Sequence, residues 1–88
     1  MIKELLSIII PSRNEQFLQK TVDDLLAKAE GLIEIIIVFD GVWGDVSKLT
    51  DKRIRMIHHG TVRESKGMRA SINAGMAIAQ GEYVMKID

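Results

Sequence analysis

Three observations predict an α/β fold with a parallel four-stranded sheet in the order 3-2-1-4 and helices on its faces. Two short runs, Leu5–Ile10 and Ile35–Phe39, are apolar and rich in β-branched residues. Strands buried on both faces read this way, which is typical of parallel sheets. Two stretches repeat apolar residues at helical spacing: Leu18, Val22, Leu25, Leu26 and Ala29, then Met68, Ile72, Gly75, Met76 and Ala79. Strands and helical stripes alternate along the chain. That alternation requires right-handed crossovers between parallel strands.

The first strand is expected over Leu5–Ile10, with Pro11 ending it. Ser12 and Glu15 then stand at capping-box spacing, with Asn14 as a rival N-cap, ahead of the first helix. Gly31 is placed to end that helix. The second strand is expected over Leu32–Phe39, closed by Asp40-Gly41. Residues 42–51 are polar, with one helical turn expected around Val46 to Leu49. Arg53–His59 alternates, with Ile54 and Met56 out of phase with Arg53 and Arg55, and predicts a half-exposed edge strand. After the polar loop Gly60–Lys66 comes the second helix, expected to stop at Gly81. Gly75 within its stripe costs ~1 kcal/mol relative to Ala, so a close approach of helix to sheet is expected there. Glu82–Ile87 is the fourth strand, with Tyr83, Met85 and Ile87 on one face and Val84 and Lys86 on the other.

The 88 residues are 47% hydrophobic and 27% charged, a globular composition without net charge. The balance is uneven: residues 1–44 carry four basic and seven acidic side chains, residues 45–88 eight and five. A basic half against an acidic half suits a small anionic ligand at the seam, or is a solvated basic face. With two Phe, one Tyr and one Trp, stacking platforms for nucleic acid are scarce. The lack of cysteine excludes disulfides, a cysteine zinc site and a thiol nucleophile, and fits a reducing compartment, so a cytoplasmic location is expected. No apolar run approaches the ~18 residues of a membrane helix. The N-terminal stretch is too short and too acidic for a signal peptide.

In an open α/β sheet, ligands bind beyond the carboxyl ends of the strands where the strand order reverses. Here that point is bordered by Pro11–Glu15, Asp40-Gly41 and Asp88. Asp40 closes a doubly buried strand, where a carboxylate can accept hydrogen bonds from a base or ribose; the alternative is a plain Asp-Gly turn. Asp88 follows the fourth strand and can hold a divalent cation if a diphosphate and water complete the shell. Arg63 and Arg69 can meet phosphate as planar forks, or can be solvated charge. Trp43 either stacks on a ligand or covers an end of the sheet. His58 and His59 point to opposite faces and do not share a metal. Neither G-x-G-x-x-G, nor a G-x-x-x-x-G-K-[ST] loop, nor a G-x-S-x-G elbow is present. Phosphates would have to be met by side chains and a metal.

Four segments in register resemble the family 2 inverting glycosyltransferases of the GT-A fold. Leu6–Glu15 resembles their opening strand, Pro and Asn-Glu; Ile36–Gly41 their second strand, which usually ends in two aspartates and a glycine. Gly67–Gly75 is similar to their helix with Asn-x-Gly, and Gly81–Asp88 to the strand that leads into their metal motif. This chain departs at Phe39, which stands where the first aspartate is usual. Arg63-Glu64 and Ile87-Asp88 are also similar to the polypeptide N-acetylgalactosaminyltransferase branch. The resemblance implies a Rossmann-like, partial GT-A fold that binds a nucleoside-diphosphate sugar, most simply a UDP-sugar, with Mn²⁺ or Mg²⁺. It implies that Pro11 and Glu15 line the nucleoside pocket, Asp40 bonds the base, Arg69 meets the diphosphate and Asp88 contacts ribose or the cation. Residues 1–88 are then expected to be one donor-binding subdomain that stops at the metal motif. The catalytic base is expected downstream, and the chain alone is expected to be inactive. Self-association through the exposed edge of the fourth strand is also expected. The rival readings are a non-catalytic nucleotide-binding or interaction module and a nucleotidyltransferase. The second would normally carry a Gly-rich loop after the first strand.

Overall fold

A computed structural model describes residues 1–13, 16–61 and 63–87. In chain order the elements are β1 (Ile2–Ser12), α1 (Leu18–Lys28), β2 (Ile33–Asp40), β3 (Ile54–His59), α2 (Met68–Ile78) and β4 (Gly81–Lys86). They form one parallel sheet in the order β3-β2-β1-β4. This is the Rossmann-like order expected from the sequence.

The two faces of the sheet have separate cores. Ile8 and Ile10 of β1 and Ile35, Ile37 and Phe39 of β2 pack under Leu18 and Val22 of α1. Leu49 closes this face. Ile9, Ile36 and Val38 point the other way, toward Ala74 and Ile78 of α2. Because both faces of β2 are covered, all eight of its residues are buried. Each isoleucine fully removed from water contributes ~1.5–3 kcal/mol. Gly75 explains the fit of α2: a Cβ there would lie 2.6 Å from Ile9 Cγ2 and 3.3 Å from Val38 Cγ2. The close approach expected at Gly75 is present.

Several boundaries differ from the sequence reading. β1 starts at Ile2 and runs through Pro11 to Ser12. Pro11 does not end it, because the missing N–H falls on the β4 side. There Ile9 O accepts from Ile87 N and the ladder stops at the Ile9–Lys86 pair. No ladder bond is lost, and Pro11 still pairs with Val38 of β2. Ser12 therefore belongs to a strand and caps nothing. The N-cap position of α1 is Phe17, with no side-chain cap; Asn14 and Glu15 lie outside the described residues. Residues 46–49 make a single turn, closed by Leu49 N to Val46 O, and no helix. α2 ends at Ile78, so Gly81 does not stop the helix but opens β4. A Cβ at Gly81 would crowd Leu5 O and Ser7 Oγ on β1.

At the amino end of the sheet, a carboxylate is buried within the second strand. Glu34 is 6% exposed. Its oxygens accept from Ser7 Oγ (2.5 Å), Gln80 N (2.7 Å) and Arg55 Nη1 (3.1 Å). Arg55 Nη1 also donates to Ile78 O at 2.8 Å. The network fastens the carboxyl end of α2 to β1, β2 and β3. Burial alone would raise the Glu34 pKa, but these hydrogen bonds and the Arg55 charge hold it below the usual value.

Candidate functional site

The carboxyl ends of β1 and β2 and the start of α2 enclose a cleft of about 140 Å³ lined by Pro11, Ser12, Arg13, Asp40, Ser65, Met68 and Ser71. Two wider clefts adjoin it and share Met68 as a wall. One, about 270 Å³, runs past Pro11, Phe17, Thr21 and Ile87. The other, about 290 Å³, is lined by Arg69, Ile72, Asn73 and Lys86. The cleft system lies at the strand-order reversal between β1 and β4, where a ligand site is expected.

Asp40 is the electrostatic centre. It is 5% exposed. Oδ1 accepts from Lys66 N at 2.8 Å, and Oδ2 accepts from Ser65 Oγ at 2.5 Å and Gly67 N at 3.0 Å. Burial works to raise its pKa. The Ser65 hydroxyl, the two amides and the neighbouring His59 outweigh it and hold the carboxyl at about 2. A carboxylate offers about four acceptor positions, so these three hydrogen bonds occupy most of them. Arg13 Nη1 donates to Asp40 O at 3.1 Å, bringing a guanidinium to the mouth of the cleft. A side chain on Gly60, whose φ is +73°, would collide with Asp40 Oδ1.

Of the residues singled out in the sequence, Pro11 and Asp40 line the same cleft, and Arg69 lies in the next one, across Met68. Glu15 and Asp88 are outside the described residues. Trp43 covers the sheet end: its ring lies 5.1 Å from Phe39 and stacks on His58 at 5.0 Å and 9°. His59, on the opposite face, shares a 2.8 Å hydrogen bond with Ser71 of α2. Phe39, at the position of the first aspartate of the resembled motif, is a core side chain with no exposure. Sequence reasoning gave Arg13 only as part of the span Pro11–Glu15, with no role of its own, and missed Ser65. Only Asp40, with which they bond across the fold, could have pointed to them. Ser12 Oγ is buried and has no hydrogen-bond partner among the described residues.

The described residues do not by themselves make up a divalent-cation site. None of them form a group of three or more His, Asp or Glu side chains able to hold one. The oxygens of Asp40 are turned to the loop before α2. The residue the resemblance assigns to the metal, Asp88, is not described.

The chain belongs to glycosyl transferase family 2, whose model matches residues 7–88. It is 33% identical to a glycosyltransferase GlyG of Streptococcus pneumoniae over 97% of this chain and 30% of that protein. It is also 33% identical to an uncharacterized glycosyltransferase of Rickettsia felis and 32% identical to one of Rickettsia conorii. Those matches cover 93% and 94% of this chain and 14% of each relative. The chain thus spans less than a third of the length of the curated relatives it matches. No helix among the described residues is long and apolar enough to cross a membrane.

Proposed function

We propose that this chain is the donor-binding part of an inverting glycosyltransferase that takes a hexosyl or N-acetylhexosaminyl group from a UDP-sugar. The observation that carries this reading is the cleft at the ends of β1 and β2. It sets the Pro11 wall and the Asp40 carboxylate beside the start of α2. The nucleoside lies along Pro11 and Glu15, and a base N–H takes the acceptor position left on Asp40. The diphosphate extends past Met68 toward Arg69, in a half of the chain with eight basic and five acidic residues. Charge complementarity of this kind draws an anionic ligand in. Asp88 would contact the ribose or hold a divalent cation, Mn²⁺ or Mg²⁺, which when bound would neutralise charge on the diphosphate.

In the reaction an acceptor hydroxyl gives its proton to a carboxylate base, and its oxygen bonds to the anomeric carbon from the face opposite the leaving group. The bond from that carbon to the diphosphate oxygen breaks, and the electron pair leaves with the nucleoside diphosphate. None of the described residues is assigned as that base.

The test is calorimetric titration of UDP against the wild type and Asp40→Ala. Loss of one buried acceptor that the base needs should weaken binding by ~1–3 kcal/mol. Equal affinities would remove Asp40 from the donor site.

A further inference from the structure

Asp40 does two things at once, and the second passes through a residue that no motif marks. The loop between β3 and α2 closes on itself at its first half. Thr61 N donates to Glu64 O (2.9 Å), and Glu64 N donates to Thr61 O (3.2 Å) and Thr61 Oγ1 (2.9 Å). Its second half, Ser65-Lys66-Gly67, is fastened to the end of β2 by Asp40. Ser65 is the centre of that fastening. Its hydroxyl donates to Asp40 Oδ2 at 2.5 Å and accepts from Gly67 N at 3.0 Å, so the same amide is shared between the hydroxyl and the carboxylate. Gly67 is the residue from which α2 starts. Its φ is +89°, and its carbonyl accepts the first helical bond, from Ser71 N at 3.0 Å. α2 has no side-chain N-cap. The Ser65–Asp40–Gly67 ring is therefore what fixes where α2 begins. Lys66 lies within the fastened segment and Arg69 in the first turn of α2.

We infer that Ser65 is a positioning residue for the diphosphate of the donor: through its ring with Asp40 and Gly67 it sets the backbone that carries Lys66 and Arg69. This rests on the donor-site reading above. It separates two contributions at the same cleft: the base is met by groups at the ends of β1 and β2, and the phosphates depend on the ring that Ser65 closes. Ser65 itself is exposed, so removing its hydroxyl creates no cavity and leaves the cores of the sheet intact.

The experiment compares wild type, Ser65→Ala and Ser65→Thr in the intact protein, with UDP and uridine as probes. Ser65→Ala loses one charge-assisted hydrogen bond and should weaken UDP binding roughly tenfold. Uridine binding should weaken by a much smaller factor than UDP binding, and Ser65→Thr should restore the UDP affinity. In the ligand-free protein, the Lys66 and Gly67 amides should exchange hydrogen roughly tenfold faster in Ser65→Ala than in wild type, again with recovery in Ser65→Thr. A role in folding alone would lower UDP and uridine affinity together, and that outcome overturns the inference. Unchanged UDP affinity in Ser65→Ala overturns it while leaving the donor site standing. A wild type that binds no UDP overturns the donor-site reading, and this inference falls with it.

Discussion

Replacing Asp40 by Asn keeps the side chain's shape and removes its charge. In the folded protein the carboxyl is held at about 2, against an ordinary 3.8. At ~1.4 kcal/mol per pKa unit, that difference contributes about 2 kcal/mol of stability. Asp40 is only 5% exposed, so solvent screening does not reduce this much. The folded-state value is the lower of the two, so the unfolded chain binds the proton more readily. The contribution is therefore complete above the unfolded value and is lost as pH falls toward the folded one. By linkage, roughly half of it remains at pH 3 and little at pH 2. Asn at this position does not titrate, and its NH₂ faces a donor that the carboxylate accepted. Urea unfolding of wild type and Asp40→Asn, followed by far-UV circular dichroism at pH 7, 5 and 3, reads the difference directly. The other titrating groups are common to both proteins and cancel. The variant should be less stable by about 2 kcal/mol at pH 7 and about 1 kcal/mol at pH 3. A gap of the same size at both pH values, or none at pH 7, would refute the claim that the ring around Asp40 is built on its charge.

Gly75→Ala should destabilise the chain by ~1–2 kcal/mol in urea melts, because overpacking against Ile9 outweighs the helix propensity that Ala gains; a more stable variant would contradict the close approach of α2. Glu34→Ala removes the acceptor of Ser7 Oγ and of the Gln80 amide and one of the two acceptors of Arg55 Nη1, and should cost ~2–3 kcal/mol by the same assay; a near-neutral result would show that the network can be dispensed with. The free edge of β4 should pair with a second copy. Ile87 N turns toward β1, so Glu82, Val84 and Lys86 direct their backbone groups outward, and antiparallel pairing centred on Val84 sets Glu82 opposite Lys86. Sedimentation at tens of micromolar should show dimers that Val84→Pro abolishes, and a monomer under all conditions would contradict it.

What could be read from the sequence was set by short-range patterns. Ile35 to Phe39 contain no polar residue, so burial of β2 on both faces follows directly. The switch from strand to helical spacing then orders the sheet. Gly75 announced its close contact because a glycine in a helical stripe needs a packing reason. The misses arise where the deciding partner is distant in sequence. Pro11 reads as a strand end, but whether it ends β1 depends on how far the β4 ladder reaches. Glu34 reads as a polar residue at the margin of a strand, yet it is buried because Ser7, Arg55 and Gln80 come together around it from 27, 21 and 46 residues away. Asp40 was legible as the residue at the mouth of the site. The ring that occupies most of its acceptor positions was not, because Ser65, Lys66 and Gly67 lie 25–27 residues further on.

The central claim is that a nucleoside diphosphate binds at the carboxyl ends of β1 and β2. The most direct measurement is a two-dimensional amide NMR titration of the intact, isotopically labelled protein with UDP. The account predicts saturable shifts at Ser12, Arg13, Asp40 and Gly41 and at Ser65 through Arg69, with the outer face of α1 from Asp24 to Ala29 unchanged. No saturable shifts, or shifts confined to α1, would contradict it.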